Sequence, residues 1–66
     1  MKIKIHGEER EIAPDTSILA LLKELSIEEK TMAAAVNMEV VKKEEWDRYI
    51  LSEDDKVEFL HFVGGG

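Results

Sequence analysis

Hydrophobic residues take alternate positions at the start of the chain: Met1, Ile3 and Ile5 are separated by Lys2 and Lys4, and His6 continues the polar side. A period of two with β-branched residues predicts a half-buried strand over 1–6. Gly7, within His6-Gly7-Glu8-Glu9, supplies a tight turn, and Arg10-Glu11-Ile12 returns as an antiparallel partner, so the chain opens on a hairpin. Ala13-Pro14-Asp15-Thr16-Ser17 ends it, because proline has no amide to give to a ladder. Asp15 or Thr16 is placed to cap a helix starting directly after this segment. There the period changes: Ile18, Leu21, Leu22 and Leu25 recur at i, i+3, i+4 and i+7, while Lys23 and Glu24 fall on the opposite face. This predicts one amphipathic helix over approximately 17–25, with the leucine stripe as core.

Ser26 to Thr31 is a polar connection whose Ile27 is expected to tuck back under the helix. Met32-Ala33-Ala34-Ala35-Val36 is helical by propensity alone. It is assigned as a strand because Val36-Asn37-Met38-Glu39-Val40-Val41 reads as a hairpin turning at Asn37, a residue that tolerates unusual backbone angles. Its small alanines let the helix approach the sheet. Between Lys42 and Ser52 the large residues Trp46, Tyr49, Ile50 and Leu51 lie irregularly among charges, which predicts a helical turn at Glu44-Glu45-Trp46 with Trp46 as a lid on one end of the core. Ser52-Glu53-Asp54-Asp55 is a turn signal, and Lys56 to Val63 is the last strand. Val57, Phe59 and His61 share one face of it; Glu58, Leu60 and Phe62 share the other. A nearly continuous apolar run suits a central strand. Val57 and Phe59 are therefore assigned to the core, and Leu60 and Phe62 to an open sheet face where their exposure marks a docking surface. The order of elements predicts an α+β fold, a mixed sheet of four to five strands packed on one main helix.

Composition narrows the function. A chain of 66 residues has room for one small core and little material for a ligand pocket, which favours a binding or carrier module over self-contained catalysis. No cysteine is present, which excludes disulfides, thiol nucleophiles and cysteine-based zinc sites. The formal charge of −6 disfavours nucleic acid, and either suits a partner with a basic face or only keeps a small protein soluble. No stretch approaches the apolar length of a signal peptide or membrane span, so a cytoplasmic protein away from membranes is expected; a monomer is expected as well. His6 and His61 lack ligands at metal spacing, Ser17, Ser26 and Ser52 lack a triad, and no phosphate-cradling glycine loop is present. The acidic runs Glu28-Glu29, Glu44-Glu45 and Glu53-Asp54-Asp55 read as solvated turns. No metal and no bound cofactor are expected.

One candidate reactive group is left. Gly64-Gly65-Gly66 follows the apolar Leu60, Phe62 and Val63 without a spacer. Glycines lack a Cβ, so such a run can thread a narrow channel and bring the carboxylate of Gly66 against another protein's reactive centre. On this reading 1–63 form a carrier domain, 64–66 a glycine tail, and Leu60, Phe62 and Val63 the partner contact. A frayed terminus on an interaction module that docks through its open sheet face is the alternative.

The whole chain resembles the ThiS family, the sulfur carrier proteins of thiamin biosynthesis, within the ubiquitin-like β-grasp fold. The resemblance lies in the opening strand, Asp15-Thr16-Ser17 leading into the leucine helix, Ala35-Val36-Asn37 followed by Val40-Val41, Trp46, and the apolar strand before Gly65-Gly66. The segment from Ala35 to Val41 with Trp46 points to the thiamin branch, whereas the terminal glycines are shared with other carriers. Family members often carry Gly where this chain has Met38 and Pro near Lys42. The resemblance implies that an ATP-dependent, E1-like activating enzyme adenylates Gly66. A sulfur donor such as a cysteine desulfurase system then leaves a thiocarboxylate, which thiazole synthase uses. The protein itself would be no enzyme; ATP belongs to the partner and sulfur is carried on Gly66. A related carrier for molybdopterin or cysteine synthesis, or a ubiquitin-like modifier, shares the activation step.

Overall fold

The computed structural model describes residues 1–61. The expected hairpin forms from β1 (Lys2–Ile5) and β2 (Glu8–Glu11), joined by a two-residue turn with Ile5 opposite Glu8. Both turn residues have positive φ, His6 at 50° and Gly7 at 86°, the geometry whose twist matches that of the flanking strands. The helix α1 spans Ile18–Glu24 and buries Ile18, Leu21 and Leu22. Its cap differs from expectation. Ser17 is the N-cap, its hydroxyl accepting from the Ala20 amide at 3.0 Å. Thr16 instead donates to the Ala13 carbonyl at 2.6 Å, and Asp15 sits in the preceding turn at φ 64°. A residue that caps needs extended backbone with its side chain turned over the first free amides. Only the third of the three polar candidates has reached that position when the helix begins.

At the other end the Ile27 amide bonds the Leu22 carbonyl and the Ser26 amide the Lys23 carbonyl, both at 3.0 Å. This is a Schellman closure with Ser26 at the left-handed position, φ 61°. It turns Ile27 back against the core, as the sequence predicts. A 3-10 turn (Glu28–Lys30) leads into β3 (Thr31–Val36), which pairs with β4 (Glu39–Val41) through the turn Asn37-Met38. The alanine-rich segment is thus a strand despite its helical propensity. Ala34 and Val36 are buried under the sheet, and Ala33 and Ala35 face the other way. After a 3-10 turn at Lys43–Glu45 the chain crosses to β5 (Lys56–His61).

The sheet order is β2-β1-β5-β3-β4. β5 is the central strand, parallel to β1 and antiparallel to β3. Five strands in a mixed sheet over one helix meet the expected architecture. The core lies between them, with Ile3, Ile18, Leu21, Leu22, Val36 and Val57 essentially inaccessible to solvent. Trp46 closes one end: it is buried, and its indole donates to the Val41 carbonyl at 3.0 Å while its own carbonyl accepts from Leu19. The lid therefore ties β4 to α1.

Candidate functional site

β5 carries the chain towards the glycines, so the site is built on its two faces. Val57 and Phe59 point into the core, at 0% and 6% exposure, and Leu60 points outward at 64%, as their alternation requires. Leu60 does not stand alone. Ala33 lies opposite it on β3, Ala35 lies opposite both Glu58 and Val40, and Val40 is 75% exposed. Ala33, Ala35, Val40, Glu58 and Leu60 surround a shallow, mostly apolar depression of about 260 Å³. The small alanines make its floor, and Val40 and Leu60 rise on either side. Between Thr31 and Ala33 the register slips by one residue, because Thr31 pairs with His61 while Ala33 pairs with Leu60. The bulge leaves Met32, 62% exposed, beside the same strand end.

Phe62, Val63, Gly64, Gly65 and Gly66 lie outside the described residues, so of the predicted contact residues only Leu60 is placed. Ala33, Ala35 and Val40 join it. The signal for them was present in the alternation of β3 and β4: once Ala34, Val36 and Val41 are core, their neighbours must face out.

The hairpin turn beside this face is fastened to the root of β5. The Asn37 side chain accepts from the Lys56 amide and donates to the Asp55 carboxylate, both at 3.0 Å, and the Asn37 amide donates to the Lys56 carbonyl at 2.7 Å. The second Asp55 oxygen accepts from the Ser52 amide at 2.7 Å, and Asp55 is only 8% exposed. Glu53 and Asp54 are exposed, in keeping with a solvated turn, but Asp55 corrects that expectation. It is a buried acceptor, and nothing in a run of three acids marks which one turns inward. His6 was likewise given no role by its sequence context. Its Nε2 accepts from the Phe59 amide at 3.2 Å, and its ring meets that of Phe59 edge to face.

Among the described residues no three His, Asp or Glu side chains come together to hold a metal ion. No helix among them is long and apolar enough to cross a membrane. The other depressions are shallow surface features, such as the one lined by Glu45, Arg48 and Tyr49. The described residues thus offer a fastened central strand with an apolar patch on its free face.

Comparison with known proteins places this arrangement. A thiazole synthase of Paramagnetospirillum magneticum is 36% identical over all 66 residues, and one of Magnetococcus marinus 35%; the chain spans about a fifth of the length of each. The sulfur carrier protein ThiS of Bacillus subtilis is 32% identical over 97% of this chain and 98% of its own. The crystal structure of the thiamine biosynthesis protein ThiS from Geobacter metallireducens superposes with a TM-score of 0.83 at 30% identity, covering all of both chains. The ThiS family model matches residues 3–66, and the chain belongs to the ThiS family.

Proposed function

We infer that this protein carries sulfur for the assembly of the thiazole ring of thiamin, on the carboxylate of Gly66. The observation that carries the reading is the match over residues 3–66, which runs through the central strand and all three glycines. It is supported by relatives named as sulfur carriers and as thiazole synthases, which favour the thiamin branch over carriers for molybdopterin or cysteine synthesis. The domain acts as a handle and its partners supply the catalysis.

A carboxylate resists nucleophilic attack, so it needs a leaving group. The Gly66 carboxylate attacks the α-phosphorus of ATP on an activating enzyme, pyrophosphate departs, and an acyl adenylate forms. The terminal sulfur of a persulfide on a desulfurase-type donor then displaces AMP to give an acyl disulfide, and a second thiol cleaves its S–S bond, closing a disulfide with the donor's sulfur and releasing the thiocarboxylate. This sulfur passes to thiazole synthase. The apolar face around Leu60 docks these partners, Phe62 and Val63 extend the contact, and Gly64 and Gly65 let the end enter a narrow active site.

Complementation tests the reading. The 66-residue chain is expected to restore growth of a strain lacking its own thiazole sulfur carrier in medium without thiazole, and deletion of Gly65 and Gly66 is expected to abolish this. Rescue by the deleted form, or rescue only of a molybdopterin-carrier mutant by the intact chain, contradicts it.

A further inference from the structure

β1 and β5 run side by side in parallel, but β1 is too short. The Lys4 amide donates to the Asp55 carbonyl at 2.9 Å and the His6 amide to the Val57 carbonyl at 3.1 Å. Alternate residues of a central strand direct their backbone groups to the same neighbour, so Asp55, Val57 and Phe59 all face β1. At Phe59 there is no backbone left to meet. His6 has turned into the left-handed region and the chain has doubled back through Gly7. The amide of a residue whose side chain is core would be left without its rung, yet it is satisfied: the imidazole of His6 swings into the vacated place, and its Nε2 accepts the Phe59 N–H. The ring extends the β1–β5 ladder by one bond beyond the end of β1, towards the glycines.

That bond needs one particular state of the ring. A neutral imidazole offers one acceptor nitrogen, and here it must be Nε2, with the proton on Nδ1; a protonated imidazolium offers two donors and no acceptor. We propose that His6 is a pH-sensitive latch on the tail-bearing strand, fastening Phe59 to β1 when neutral and releasing it when protonated. The latch holds while the ring is neutral, on the alkaline side, and opens when the ring is protonated, on the acid side. Lys4 on β1, Glu8, Glu9 and Arg10 on β2, and Lys56 and Glu58 on β5 line the two depressions that His6 shares. They are three cations and three carboxylates, and the side-chain acceptor that the Phe59 amide meets is the His6 ring. The latch concerns the strand itself and stands apart from the chemistry assigned to Gly66.

Amide hydrogen exchange, normalised at each pH by the intrinsic rate, reads the latch directly. Protection of the Phe59 amide, taken relative to the Lys4 amide on the same ladder, is expected to fall roughly threefold to tenfold between pH 8 and pH 5, as fits the loss of one net hydrogen bond. His6→Gln supplies a carbonyl oxygen at nearly the same reach, without titration and with all six neighbouring charges in place. It is expected to hold Phe59 protection constant over that range, while His6→Ala is expected to show the low value throughout. Should the His6→Gln turn perturb the hairpin, the Lys4 amide reports it, and the wild-type and His6→Ala profiles alone decide. Wild-type protection independent of pH, or His6→Ala equal to the wild type at pH 8, overturns the latch.

Discussion

Met38 pays for its position in the second hairpin turn: its φ is 74°, its side chain is 87% exposed, and its backbone angle is one that a Cβ disfavours by about 1–2 kcal/mol. Glycine carries no such penalty, although it loses more entropy on folding. Met38→Gly is therefore expected to stabilise the protein by about 0.5–1 kcal/mol, read as a higher denaturant midpoint with an unchanged slope. A lower midpoint would show that the turn is not held in this geometry. Asn37, its neighbour, is the opposite case. It takes φ 52° readily and makes three bonds to the root of β5. Asn37→Ala is expected to cost about 2 kcal/mol. A double-mutant cycle with Asp55→Ala is expected to show coupling of at least about 0.5 kcal/mol, since the two side chains share a bond; additive losses would separate them.

At the scale of elements, what matters is which face each strand shows. Leu60→Glu places a charge at an exposed position of β5 and is expected to leave stability within about 0.5 kcal/mol. If the face docks partners, the same change should raise the KM of an activating enzyme for this protein by roughly tenfold. Unfolding would contradict the exposed placement of Leu60, and unchanged kinetics in a folded variant would show that the face does not dock them. This division was legible in the chain because period two on β5 and period 3.6 on α1 state directly which side chains are buried. Ile18, Leu21 and Leu22 needed no tertiary information, and Trp46 as a lid followed from being the largest side chain in an irregular stretch. β3 was legible only through its neighbours, since its alanines favour a helix and the hairpin at Asn37 overrules them. What stayed hidden depends on partners far away in sequence. Asp55 and Asn37 are eighteen residues apart, and His6 and Phe59 fifty-three; no local spacing announces either bond. Ser17 was missed as the cap for a smaller reason, because three capping residue types stand in a row and the backbone selects among them.

For the molecule as a whole, size sets the terms. Sixty-six residues imply a folding free energy of only about 3–10 kcal/mol, supported by one core with a tryptophan at its end. Trp46→Ala would remove about 3–5 kcal/mol of packing and also leave the Val41 carbonyl without its indole donor. It is expected to leave most of the chain unfolded at about 37 °C by circular dichroism, whereas a fully cooperative, native-like melt would contradict Trp46 as the lid. Such a small core suits the proposed carrier, which would present a group and leave the chemistry to its partners. The central claim is that this group is the carboxylate of Gly66. Intact-mass spectrometry tests it most directly: after incubation with its activating enzyme, ATP and a sulfur donor, the 66-residue chain is expected to gain about 16 Da, oxygen exchanged for sulfur, localised to Gly66 by fragmentation. An unchanged mass, with the same enzyme active on a control carrier, would contradict it.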